Sequence, residues 1–160
     1  MNSKMLVFYL NLIALINGLE LNQSLLINKY GYSNESTQIY LNNQAIDFIE
    51  SSTFNGFNKL ESINLENNNL KRIDSLLFNG LKQVKYIYLG SNQISSIHRL
   101  AFTGLNNLEL ICLSKNPISL LDPTSLLLLC ESNSKCNLII HDECITSTTT
   151  TTNKQEISKV

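Results

Sequence analysis

The sequence predicts an α/β solenoid, a stack of similar units built on short parallel strands. Three observations carry that expectation. The chain writes one phrase three times at equal spacing: SINLENNNL at 62–70, YIYLGSNQI at 86–94 and LICLSKNPI at 110–118. Inside each phrase side chains alternate, as in Ile87-Tyr88-Leu89, which is the period-2 mark of a strand with one buried face. Further apolar residues then recur at fixed offsets, and two units close on Phe-x-Gly-Leu. One such strand cannot bury its apolar side alone. Stacking the units in parallel buries a continuous core, each unit touching only its neighbours.

Aligned on that period, four units cover 36–131, divided as 36–59, 60–83, 84–107 and 108–131. The second keeps Leu60, Ile63, Leu65, Asn68, Leu70, Ile73, Phe78, Gly80 and Leu81. The third repeats the set as Val84, Ile87, Leu89, Asn92, Ile94, Ile97, Phe102, Gly104 and Leu105. The fourth runs Leu108, Ile111, Leu113, Asn116, Ile118, Leu121, and has Leu126 in the Phe slot. The first fits through Ile39, Leu41, Ile46, Ile49, Phe54, Gly56 and Phe57, with Gln44 in the Asn slot. Phe54, Phe78 and Phe102 should stack along the convex side.

The recurrent Asn has a physical reason. Past each strand the backbone bends sharply and leaves inward peptide groups without ladder partners. Such groups are costly when buried and unpaired, and a carboxamide offers both donors and an acceptor. Asn68, Asn92 and Asn116 are therefore read as structural, bonding the backbone of their own and adjacent turns. Gln44 is where that column ends or adapts.

The pattern L-x-x-L-x-L-x-x-N-x-L resembles the leucine-rich repeat. The 24-residue length and the Phe-x-Gly-Leu ending are similar to the subtype common in extracellular members, and the likeness covers about three fifths of the chain. It implies an arc with short parallel strands on the concave face and irregular or 3-10 segments on the convex one. It also implies that the Asn column forms what that family calls an asparagine ladder.

Residues 1–18 read as a secretory signal peptide: Lys4, an apolar run from Met5 to Ile16, then Gly18 as a small residue for cleavage. The run is too short for a membrane-spanning helix, which needs about 20 apolar residues. Residues 19–35 should cap the first unit, burying Leu21, Leu25, Leu26 and Ile27. Asn22-Gln-Ser24 and Asn34-Glu-Ser36 are N-glycosylation sequons. Beyond the repeats, 132–145 carries Cys136 and Cys144, and 146–160 is a Thr-rich tail expected to be a disordered linker.

An even cysteine count in an oxidising compartment points to disulfides among Cys112, Cys130, Cys136 and Cys144. Extracellular relatives often close the solenoid with a cysteine-bearing C-terminal cap, and 132–145 resembles a reduced version of it. The pairing stays open. Cys130–Cys136 bridges a short loop, and Cys144 would reach Cys112 only if the cap folds back. Cys112, between inward Ile111 and Leu113, should face outward, where a free thiol or an intermolecular bridge are the other readings. A zinc site from Cys130, Cys136, His141 and Cys144 is the competing reading, but C-x5-C-x4-H-x2-C matches no standard finger.

Charged residues make up 16% of the chain and the net charge is −1, so the basic footprint of a nucleic-acid binder is missing. His98 and His141 lie near no nucleophile motif, no Gly-rich phosphate loop occurs, and the reading expects neither enzyme activity nor a cofactor or metal. What remains is the concave wall. Its outward columns read Gln38, Ser62, Tyr86, Leu110 and Tyr40, Asn64, Tyr88, Cys112, flanked by Glu61, Lys85 and Glu109, and by Glu66 and Lys115. Outward Tyr offers rigid contact area with a polar tip, though Tyr is also simply a good strand residue. The expected ligand contacts are Tyr40, Asn64, Tyr86, Tyr88, Gln38, Lys85 and Glu109. The expected role is a secreted module that binds a protein or glycan without catalysis or membrane insertion, as a monomer or weak dimer. A self-associating ectodomain, or part of a larger receptor or matrix protein, is the second reading. A cytosolic interaction protein is the third.

Overall fold

The computed structural model describes residues 18–118 and 135–140. The main sheet has five parallel strands: β2 (Gln38–Tyr40), β4 (Ser62–Asn64), β6 (Tyr86–Tyr88), β8 (Leu110–Cys112) and β9 (Asn137–Ile139), side by side in that order. Pairing is in step, with Ile39, Ile63, Ile87 and Ile111 in one buried row that the half-buried Leu138 continues. The first three steps of that row, 39 to 63 to 87 to 111, are equal, so the repeat in the sequence is the register of the sheet. The last step, from Ile111 to Leu138, is longer, which hid β9 from the period and left 137–139 inside the expected cap. The signal was there in Leu138 and Ile140, which continue the inward alternation.

Opposite the main sheet run two smaller parallel pairs. β1 (Leu19–Leu21) joins β3 (Ile46–Ile49), and β5 (Arg72–Ile73) joins β7 (Ser96–Ile97). Elsewhere the convex side is made of turns, where irregular or 3-10 segments were expected. Among the described residues the one α-helix is α1 (Gln23–Asn28). The solenoid is thus mostly β. Its core is a column of Leu, Ile and Phe contributed alike by the first three units and continued by Leu108, Ile111, Leu113 and Ile118, with Phe54, Phe78 and Phe102 stacked at centroid distances of 5.9 and 5.5 Å.

The bend after each concave strand has a conformational cause invisible in the apolar pattern. Asn43, Asn67, Ser91 and Lys115 all hold φ between 52° and 59°, the left-handed region. Asn tolerates it; Ser and Lys take it at a cost of about 1–2 kcal/mol each. The next residue is the ladder position. Asn92 donates from Nδ2 to the carbonyls of Leu65, Leu89 and Gly90 at 3.0–3.2 Å, and its Oδ1 accepts from the Leu70 amide at 3.1 Å. Asn68 and Asn116 make the corresponding bonds one unit away on either side. Gln44 does not reach inward; its amide nitrogen donates to the Asn42 carbonyl instead.

The turn after each Phe needs a left-handed residue too. Gly80 has φ 84°, and a Cβ there would meet nothing within 4 Å. Gly80→Ala should therefore cost backbone strain alone, about 1–2 kcal/mol in urea unfolding, with the slope of the transition unchanged.

At the N-terminal end α1 lies on the first unit. Asn22 caps it, its Oδ1 accepting from the Leu25 amide at 2.9 Å. Leu21 and Leu26 are fully buried and Leu25 packs against the core, but Ile27 is 45% exposed. The expected burial of Ile27 fails because so short a helix has one inward face, and position 27 is turned about 100° from Leu26. The signal segment except Gly18, Cys130, His141, Cys144 and the Thr-rich tail lie outside the described residues.

Candidate functional site

The concave wall is open at its N-terminal end and closed towards its C-terminal end. In the column that ends in Cys112, Tyr40 is 57% exposed while Asn64, Tyr88 and Cys112 are 7%, 6% and 0% exposed. This corrects the expectation that Asn64 and Tyr88 are open to a ligand and that Cys112 faces outward into solvent. The reason is crowding inside the arc. Gly90 has no side chain, and the Ser114 hydroxyl, a Glu66 carboxylate oxygen and the Cys112 sulfur lie 3.0, 3.1 and 3.5 Å from where its Cβ would stand. Side chains from the units on either side thus converge over one glycine. Burial there pushes the Tyr88 phenol up, and it pushes the Glu66 carboxyl up as well, against the pull of the Asn64 hydrogen bond and the Lys115 charge.

No cysteine among the described residues is a free thiol. That removes the free-thiol reading of Cys112, and a fully buried sulfur cannot reach a second copy of the chain.

The open end is built from different parts. Tyr40 and Gln38 project from β2, the first strand, with the Tyr40 hydroxyl donating to Gln38 Oε1. The outer edge of β2 is closed by Tyr32, whose hydroxyl accepts from the Tyr40 amide at 2.7 Å and donates to the Tyr40 carbonyl at 3.0 Å. One phenol thereby replaces a missing strand, and Tyr40 is held in place by its own backbone. An open edge would otherwise invite pairing with another chain.

Beside this patch, lateral polar contacts tie neighbouring units together. Lys85 pairs with Glu61 at 2.9 Å, and that hydrogen bond and charge hold the ammonium group above its ordinary pKa. The Tyr86 hydroxyl donates to Glu109 at 2.9 Å, which pushes the Tyr86 phenol up. Tyr86, Lys85 and Glu109 are partly exposed, on or beside strands further along the wall from Tyr40 and Gln38. Of the residues singled out from sequence, these five lie on accessible surface, Tyr40 and Gln38 on β2 and the other three on or beside β6 and β8. Tyr32 was missed, because its role depends on a fold-back from the cap that no spacing reveals.

Among the described residues no group of three His, Cys, Asp or Glu side chains could hold a metal ion. Nor is any helix there long and apolar enough to cross a membrane.

Five parallel strands in step, a stacked Phe column and an Asn ladder define a repeat solenoid. The family model for the leucine rich repeat matches the chain in three overlapping stretches, 37–94, 60–118 and 83–129. The chain belongs to the leucine-rich repeat family. Domains of this family commonly bind proteins and are typically not catalysts. A comparison with curated proteins found no match.

Proposed function

We propose that this protein is a secreted, non-catalytic binding module that takes a protein, or the glycan of one, on the open end of its concave wall. The observation that carries the reading is Tyr40: a large aromatic, 57% exposed, whose backbone N–H and C=O are both bonded by the Tyr32 hydroxyl. A rigid exposed Tyr gives contact area at little entropic cost on binding. Gln38 partners the Tyr40 hydroxyl, and the Lys85–Glu61 and Tyr86–Glu109 pairs supply polar groups on the following strands. The ligand footprint is small and lies towards the first units.

Secretion is supported by the signal-like start and by the cysteines, since Cys112 and Cys136 are disulfide-bonded and such bonds persist in oxidising compartments. Asn34 is exposed in a turn and is the better acceptor for a glycan; the Asn22 side chain is engaged in capping α1.

The test is binding to an array of extracellular protein domains, with and without their glycans, by the secreted protein and its Tyr40→Ala variant. Removing an aromatic anchor should weaken a binder at least tenfold, the effect of about 1.4 kcal/mol, while unfolding midpoints stay within the range of a surface substitution. A ligand held equally well by Tyr40→Ala would move the site elsewhere.

A further inference from the structure

Asp47 lies where the two strands of the N-terminal pair fall out of step. Leu19 pairs with Ile46 and Glu20 with Phe48, so Asp47 is the extra residue of a bulge. Bulges re-aim a side chain, and this one turns the Asp47 carboxylate onto the Leu19 nitrogen, with Oδ2 at 2.8 Å. Gly18 has φ 84°, and a Cβ there would lie 2.5 Å from the Asp47 carboxyl carbon, so only glycine fits between leader and carboxylate. The far end of β1 is fastened separately, its Leu21 carbonyl accepting from the Thr53 hydroxyl at 3.0 Å and the Glu50 amide at 2.9 Å. A carboxylate therefore waits at the one backbone nitrogen that cleavage after Gly18 would convert to a free amine.

We propose that Asp47 is the receptor for the α-ammonium group created at Leu19 when an endopeptidase removes residues 1–18, so that processing locks β1 onto the first unit. The inference rests on the secretory reading above. In the step itself water adds across the Gly18–Leu19 peptide bond. Its hydroxyl goes to the Gly18 carbonyl carbon and a proton to the Leu19 nitrogen, which takes a second proton from solvent. A neutral N–H donor becomes a cation, so a hydrogen bond that already has an ionised acceptor gains an ion pair. The other charged groups on the neighbouring strands are Glu20 on β1, Glu50 after β3, and Lys71 and Arg72 at β5. Arg72 is occupied by Asp74 at 3.3 Å and by the Phe48 ring at 5.4 Å.

Protein made through a eukaryotic secretory pathway is first weighed intact after deglycosylation. A mass beginning at Leu19 is expected. Any other start defeats the proposal while leaving a leader in place, and an unprocessed chain defeats the leader reading and the proposal with it. Thermal unfolding at pH 6.5 then compares four proteins: chains beginning at Leu19 or carrying Asn17 and Gly18 as well, each with Asp47 or Asp47→Asn. With Asp47 the Leu19 start should unfold about 3 °C higher than the extended chain, the shift expected of a single partly screened ion pair. With Asp47→Asn, which keeps the shape and an acceptor, the two starts should unfold together. Equal midpoints in the Asp47 pair, or a gap that survives Asp47→Asn, would overturn the role given to Asp47 while leaving the leader reading intact.

Discussion

Asn68→Ala should destabilise the protein by about 4 kcal/mol, and by clearly more than Asn92→Ala at about 2 kcal/mol. The difference follows from how the ladder shares its bonds. The carbonyls of Leu65 and Leu89 each accept from two successive Asn side chains, so losing Asn92 leaves both with a partner. Only the Leu70 amide is orphaned. Asn68 stands at the end of the column. Its Oδ1 accepts from the amides of Gln44 and Ile46, and its Nδ2 satisfies the Leu41 carbonyl, which receives no second carboxamide because Gln44 faces away. Three backbone groups thus lose the acceptor or donor that the ladder supplies, at about 1–3 kcal/mol for each that stays dry. Urea unfolding of the two variants side by side measures the ranking. Equal losses would mean that the turn after the first strand relaxes and lets water in.

Phe78→Ala should cost a similar amount, about 4 kcal/mol, by emptying the middle of the convex column. Phe78 is fully buried and its ring lies between Phe54 and Phe102, so the substitution removes two ring contacts as well as the apolar volume. Phe78→Leu should lose less, roughly 1.5 kcal/mol, because Leu keeps most of the volume. Leu126 occupies the equivalent slot of the fourth unit. Against a whole-domain stability of about 5–15 kcal/mol, Phe78→Ala together with Asn68→Ala should leave little folded protein at 37 °C. Loss of the far-ultraviolet dichroism of the double variant is the readout. A repeat array can also lose its single transition when a central unit is weakened, so a broadened, two-step melt of Phe78→Ala fits the same account.

The sequence by itself determined which residues face the core and how the units align. Ile39, Ile63, Ile87 and Ile111 had to be neighbours once the period was known, because a slip in register would turn each strand inside out. The ladder Asn and the stacked Phe were readable for the same reason: their partners are copies of themselves one period away. The left-handed residues Asn43, Asn67, Ser91 and Lys115 were not readable, since Ser and Lys carry no mark of that conformation. β9 was hidden by its longer step from β8, and the Asp47 bulge by a pairing of strands that share no repeated motif.

Only the tertiary structure decided which outward residues meet solvent. Alternation says which way a side chain leaves its strand, and it placed Tyr40, Asn64, Tyr88 and Cys112 on one wall. It cannot say what stands over them. Exposure is a property of neighbours from several units at once, and at Gly90 those neighbours close in from Glu66, Cys112 and Ser114. Tyr88 is therefore buried structure, and Tyr40 is surface fixed by Tyr32. The direction of a side chain is local and periodic, and so legible. Its accessibility depends on packing across units, and the fold alone sets it.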